Sequence, residues 1–392
     1  MKLNISDSKI TVVVFLFLAV YFYCNILSQM IYNSNSSIFI ITKIISLFYS
    51  VIFFLLLDKK NYINNHSKKW LLFYLLFILV CLFSAIFSKD QYISLRAIFI
   101  NFTITLPLLI FHFYIDSERK FKIMIRLITI FYLLFSSVII YNEFYTNSLS
   151  RSFIGGYPKG GVVNLVILGL SLFVIEKKLF KLLIITLSIL LIYFSLSVKL
   201  LLLLIIFFIS ILLINKKNLM LFLFFFVLFY IFLSNSLFHN LLNNIEIYFP
   251  EYYNIVYQRF LALFGHQDLS NYAINDVNNN ISLRMESLKL FFNNPIFGIG
   301  LENERTTIGT QAHSGLISIL IGTGIIGFIF FYFFIFYILF LSFKYEYDDV
   351  IIISIIYVFF SLINPVHNNS PAVIVLFLAS SLFILKRKKI LT

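Results

Sequence analysis

Arg284, Glu286, Arg305 and His313 share one polar stretch between two apolar blocks, and their types suit chemistry on an anion. Residues 282–300 read SLRMESLKLFFNNPIFGIG, and residues 312–327 read AHSGLISILIGTGIIG. A guanidinium is a planar fork of donors that fits a phosphate. An imidazole at a helix N-terminus is held toward its neutral, proton-accepting form by the helix dipole. Between them, Pro295 ends a helix, and Gly298 and Gly300 open backbone conformations closed to other residues. A G-x-G pair that follows no strand does not read as a dinucleotide-binding fingerprint.

Further cations stand upstream. Lys199 follows FSLSV at the mouth of an apolar run, and Arg151 and Lys159 bracket the compact turn RSFIGGYPKGG, whose backbone N–H groups could face an anion. Each residue alone also fits a plainer role. Leu283, Leu288 and Leu290 suggest a short amphipathic helix on the membrane surface, with Arg284 and Leu288 on one face and Glu286 and Lys289 on another. There Arg284 could simply meet lipid headgroups, while Lys199 could snorkel and His313 could accept water. The order along the chain is more specific than any member: a Gly/Pro loop, a cation at a helix mouth, an arginine in a long loop, P-x-x-G-x-G, then a histidine before a glycine-punctuated helix.

Such residues need an apolar scaffold, and the composition supplies one. The chain is 61% hydrophobic and 12% charged, with mean hydropathy +0.97. An ordinary soluble domain carries about twice that charged fraction. We expect an all-α integral membrane protein, one polytopic domain over residues 1–392. About twelve spans are expected near 10–31, 38–57, 70–88, 97–115, 123–141, 162–175, 180–197, 199–215, 218–237, 314–342, 350–364 and 371–385. One large external loop, 238–313, separates spans nine and ten and carries part of the active site. The first run is too long for a signal peptide and is read as retained. The sixth and eleventh spans are short enough to be partly re-entrant. Abundant Phe, Ile, Lys, Asn and Tyr suggest an AT-rich bacterial genome. Cys24 and Cys81 lie in apolar runs, where neither a disulfide nor a metal site is expected.

The net charge of +13 does not point to nucleic acid, because the basic residues are unevenly divided. Twenty lie in the N-terminus, the even-numbered loops and the KRKK tail, and nine lie on the opposite face. The positive-inside rule then makes both termini cytoplasmic. Lys43 falls within span two, where it can snorkel outward. Arg96, Arg151, Lys159 and Lys199 occupy short external segments against this rule, which suggests an anionic ligand outside.

From about Arg151 to Gly327 the sequence resembles the bacterial O-antigen ligase and Wzy-type polysaccharide polymerase superfamily, through Lys199 after Ser197, Arg284, Pro295 to Gly300, and His313. There are departures: Lys199 stands where that family has arginine, Ser314 where it has asparagine, and Pro158–Lys159 where it often has Asn-Pro-Asn. The resemblance implies a bacterial cytoplasmic-membrane glycosyltransferase. It would join oligosaccharide repeat units of O-antigen, capsule or exopolysaccharide, carried on polyprenyl pyrophosphate, at the outer face. Lys199 and Arg284, with Arg151, would bind pyrophosphate, and His313 would act as base or orient the acceptor. Glu286 and Glu302 are reserve bases, and Lys159, Arg305 and Glu286 are further substrate contacts. No D-x-D or His/Cys cluster lies outside, so no metal and no cofactor are expected. Partners would be the lipid-linked glycan, membrane lipids, and a flippase and chain-length regulator. Ligation to another acceptor is the alternative within the superfamily. A lipid-linked glycan flippase is the alternative of another class, but it would place polar groups within several spans, and these hold little beyond Lys43, His112 and Arg126.

Overall fold

The computed structural model describes residues 12–13, 15–21, 36–56, 65–115, 120–131, 166, 184–186, 188, 203–207, 209–210, 271–309, 314–364, 366–367 and 370–391. Helix is the only regular structure among them. That is the form in which a segment in lipid satisfies its own backbone.

Eight helices carry the description. They are α1 (Ser36–Leu56), α2 (Asn65–Ile86), α3 (Gln91–His112), α4 (Asn271–Asn293), α5 (Glu304–Ile308), α6 (Gly315–Lys344), α7 (Asp348–Ile363) and α8 (Ser370–Leu391). Among the described residues, α2, α3 and α6 are long and apolar enough to cross a membrane, and shorter apolar stretches run over Ile40–Ile52 and Ala372–Lys386. The expected spans over 38–57, 70–88, 97–115, 350–364 and 371–385 thus coincide with helices to within a few residues. Spans six to nine lie almost wholly outside the described residues.

Packing follows from side-chain type. The antiparallel pair α2 and α6 meets through aromatic rings: Trp70 stacks on Phe334 at 5.2 Å, Phe73 on Phe333 at 4.2 Å, and Phe77 leans on Phe331 at 4.8 Å. Offset ring pairs of this kind add to burial. On α6, Ile325, Ile329, Phe333, Phe336, Phe340 and Phe343 are exposed at three- and four-residue spacing, an apolar stripe suited to lipid. By contrast α8 is buried at every residue from 372 to 385 and contacts α3, α6 and α7.

One expectation needs correction. Lys43 does not reach outward: its side chain is 1% exposed within α1. The tenth expected span, 314–342, coincides with α6, which kinks at Gly324, where φ of 64° and ψ of −168° lie outside helical geometry.

The helix ends sort into two groups. One gathers the α2–α3 turn, the segment from the end of α4 through α5, the start of α6 and the link from α7 to α8. Asn303 bonds Asp90 there, and Asn101 Nδ2 donates to the His367 carbonyl. The other end gathers the start of α2 with the ends of α3, α6 and α8. Ser67 and Ser380 hold the two ring nitrogens of His112 at 2.8 Å each, and Lys69 donates to Tyr337 at 3.2 Å.

Candidate active site at the broken end of α6

The site begins with a backbone exchange. In an unbroken helix the N–H groups of Ile325 and Ile326 would bond the carbonyls of Ile321 and Gly322. Here those donors turn to Pro295 O at 2.8 Å and Ile296 O at 3.5 Å. The two freed carbonyls accept from Ile299 N–H at 2.8 Å and Gly300 N–H at 2.9 Å. Ser84 of α2 adds a second donor to Gly322 O at 2.7 Å. The segment 294–301 is therefore knotted into the break, about 14 Å along α6 from its start at 1.5 Å per residue.

Two glycines make this approach possible. A Cβ on Gly324 would sit 2.1 Å from Ile296 O, and one on Gly298 would sit 2.3 Å from Ile321 O. Both residues also have positive φ, 64° and 71°. The P-x-x-G-x-G run is thus explained by close backbone packing. The helix before it ends at Asn293, because the residue preceding Pro295 is steered away from helical geometry.

The four residues that follow are held in a fixed alternation. Leu301, Asn303 and Glu304 are buried completely. Asn303 Nδ2 donates to Asp90 O at 2.9 Å and to Ser94 Oγ at 2.5 Å, while its Oδ1 accepts from Asp90 N–H at 2.9 Å. Glu304 Oε1 accepts from Ser318 Oγ at 2.8 Å, which fixes α5 to α6. Glu302 alone keeps some exposure, 13% of its side chain. Its φ of 60° is left-handed, a conformation costing a non-glycine residue about 1–2 kcal/mol. Such strain persists where the surroundings over-determine it, and here both neighbours are locked.

Glu302 joins two partners. Arg305 Nη2 lies 3.7 Å from its Oε2, and His367 Nε2 lies 3.9 Å from its Oε1. Arg305 is 41% exposed, whereas His367 is wholly buried between α7 and α8. A carboxylate, an imidazole and a guanidinium therefore meet at one lip of the bundle. His367 was not among the residues singled out from the sequence. The signal was the alternation of spans, which sets the link between the last two on the same face as Arg284.

Arg284 and Glu286 lie on α4, which packs against α6. That helix is longer than the short amphipathic turn the leucines suggest, running through 23 residues. Glu286 is exposed. Arg284 is half-buried, and its Nε is shielded from solvent with no hydrogen-bond partner among the described residues. Ser314 caps α6 by accepting from Ile317 N–H at 3.5 Å. Lys199, Arg151, Lys159 and His313 lie outside the described residues, so the structure joins Arg305 with Glu302 but does not test the full set. No group of three metal-ligating side chains occurs among the described residues.

Comparisons with protein-family models, with curated proteins and with solved structures find no match to this chain.

Proposed function

We propose that the chain is a polysaccharide polymerase of the O-antigen ligase and Wzy-type superfamily, acting at the outer face of a bacterial cytoplasmic membrane. In this reading it crosses the membrane about twelve times with both termini inside. The knotted end faces outward, and the end bearing Lys68, Lys69, Lys120, Lys344 and Lys386 faces the cytoplasm. The donor is an oligosaccharide on polyprenyl pyrophosphate. A sugar hydroxyl of the acceptor attacks the donor's anomeric carbon, and polyprenyl pyrophosphate departs with the bonding electrons.

The observation that carries the reading is Arg284. A guanidinium whose Nε is shielded from water and lacks a partner among the described residues is a donor group awaiting an acceptor. A pyrophosphate offers that acceptor in bidentate geometry. Charge develops on the leaving group, so fixed cations stabilise the transition state more than the ground state. Each charge-assisted bond contributes about 1.5–3 kcal/mol. Lys199 and Arg151 are the proposed companions of Arg284, with Lys159, Arg305 and Glu286 as further contacts. His313, next to the Ser314 cap, is proposed to take or orient the hydroxyl proton.

The test uses purified full-length chain and lipid-linked oligosaccharide extracted from source cells lacking it, which accumulate the unpolymerised donor under this reading. Wild type should lengthen the glycan and release polyprenyl pyrophosphate. Failure to lengthen any such unit, with folded protein present, refutes the polymerase.

A further inference from the structure

We infer that α4 and the turn after it dip into the bilayer at the knotted end, where Ile281, Met285, Phe292, Ile296 and Phe297 form a lipid-facing surface bordered by Arg284 and Lys289. This placement does not depend on the polymerase reading.

Three sides of α4 differ in character. At about 100° per residue, Ile281, Met285 and Phe292 point within about 40° of one another. They are 56%, 58% and 71% exposed, a continuous apolar stripe rather than scattered single residues. A second side carries the wholly buried Ser287 with the half-buried Leu283, Leu290 and Phe291, and α4 packs on α6. The third side is polar: Ser282, Glu286, Lys289 and Asn293 are all exposed. A helix between a protein and water needs one packed side and one polar side. The extra apolar side calls for a second apolar medium. Leu283 and Leu290, which suggest amphipathicity in the sequence, thus serve packing, and a different set of side chains faces out.

Charge placement agrees. Arg284 borders the stripe on one side and Lys289 on the other, while Glu286 lies about 100° beyond the nearer edge. Cations beside an apolar stripe reach lipid phosphates while their stems stay in apolar surroundings. Arg284 Nε, shielded from water and without a hydrogen-bond partner among the described residues, suits such a phosphate.

Depth is set by the knot. Pro295 O accepts from Ile325 N–H about 14 Å along α6 from its start, so the turn 294–300 sits beside a spanning helix rather than above it. Ile325 belongs to the exposed stripe of α6, and the Phe297 ring lies 4.7 Å from that of Phe83 on α2. The outward side of α4 is therefore continuous with the lipid-facing surfaces of two helices long enough to span. Irregular backbone is tolerated at that depth where protein satisfies it. The N–H groups of Gly298, Ile299 and Gly300 all have acceptors, two of them on α6.

Nitroxide labels at Met285→Cys, Phe292→Cys, Ile296→Cys and Glu286→Cys identify the medium at each position. Each is placed singly in the full chain with Cys24→Ser, the buried Cys81 kept, in bilayers of phosphatidylglycerol and phosphatidylcholine. The first three labels should collide readily with oxygen, which concentrates in lipid, and poorly with a water-soluble nickel chelate. Glu286→Cys should show the reverse. Equal access of the chelate to all four would put the stripe in water and overturn the inference. Protection of Met285→Cys and Phe292→Cys from both oxygen and chelate would put protein over the stripe, which overturns it as well. The unsubstituted chain gives an independent reading: a phospholipid with a diazirine in its acyl chain should crosslink within residues 281–297 on irradiation. Crosslinks at Ile329 and Phe333 of α6 with none in 281–297 would sink the inference even if every labelled variant failed to fold.

Discussion

The two ends of the described bundle satisfy polar groups in different ways. At the end near Lys69 and Lys386, side chains bond side chains at close range. His112 is held at both nitrogens by hydroxyls at 2.8 Å, and Lys386 Nζ meets the buried Asp349 at 2.5 Å. At the knotted end the main chain carries more of the pairing: four backbone bonds join residues 295–300 to α6, while Glu302 lies 3.7 Å from Arg305 and 3.9 Å from His367, and Arg284 Nε has no hydrogen-bond partner among the described residues. One end is closed with itself. The other is tied chiefly through its main chain.

Substitutions at four positions, with Gly309→Ala as a control, test this contrast in falling order of their effect on stability. Gly324→Ala should prevent recovery of folded protein, since its Cβ would meet Ile296 O at 2.1 Å in a backbone conformation already unfavourable to alanine. A loss above about 4 kcal/mol is expected. Gly309→Ala is the control, because φ is 76° but nothing lies within 4 Å, leaving a cost of about 1–2 kcal/mol. Similar melting of the two alanine variants in detergent would mean that the knot is not tight.

Asn303→Ala comes next. It removes three hydrogen bonds to Asp90 and Ser94, and the Asp90 N–H left without its acceptor costs about 1–3 kcal/mol. Protease nicking between residues 87 and 90 should rise with it, and unchanged resistance there would show that the clamp is not what holds the turn.

His112→Leu at the closed end should destabilise by about 1–3 kcal/mol, yet glycan lengthening per folded molecule should equal wild type. Lost turnover in folded protein would erase the functional difference between the ends.

Arg284→Ala should scarcely change melting, within about 0.5 kcal/mol, because its shielded Nε makes no hydrogen bond among the described residues. Its effect belongs to activity: lengthening should cease and lipid-linked units accumulate. Arg284→Lys should recover only part, since one ammonium cannot reproduce two parallel N–H bonds. An Arg284→Lys variant as active as wild type would remove the bidentate contact.

Hydropathy made most of the described fold legible. Runs such as 65–86 and 348–363 are apolar enough that only a helix could hide their backbone, and their ends fall within a few residues of the expected spans. The break in α6 was not legible. Gly322, Gly324 and Gly327 within an apolar run read as surfaces for close helix packing, and Gly315 does meet the α7 terminus in that way. Gly324, however, makes room for Ile296, 28 residues upstream, and no local period announces such pairing. Arg284, Glu302 and Arg305 could be singled out in the sequence because charge is rare in this chain. Lys43 was misjudged because burial by neighbouring helices leaves no trace in its own sequence context. The proximity of His367 to Glu302 was not legible, because 65 residues separate them in the chain and only the fold brings them to 3.9 Å.

The exchange at Gly324 also bears on how the chain is built into a bilayer. Residues 294–300 leave the ribosome before residues 321–326, so the knot's partner is already made when α6 emerges. Until the two dock, the N–H groups of Ile325 and Ile326 can pair with the carbonyls of Ile321 and Gly322 along an ordinary helix. After docking, the same four groups pair across the knot. Insertion and maturation therefore proceed without leaving main-chain donors bare in hydrocarbon. Glycine adds no polar side chain that would stop the segment from partitioning.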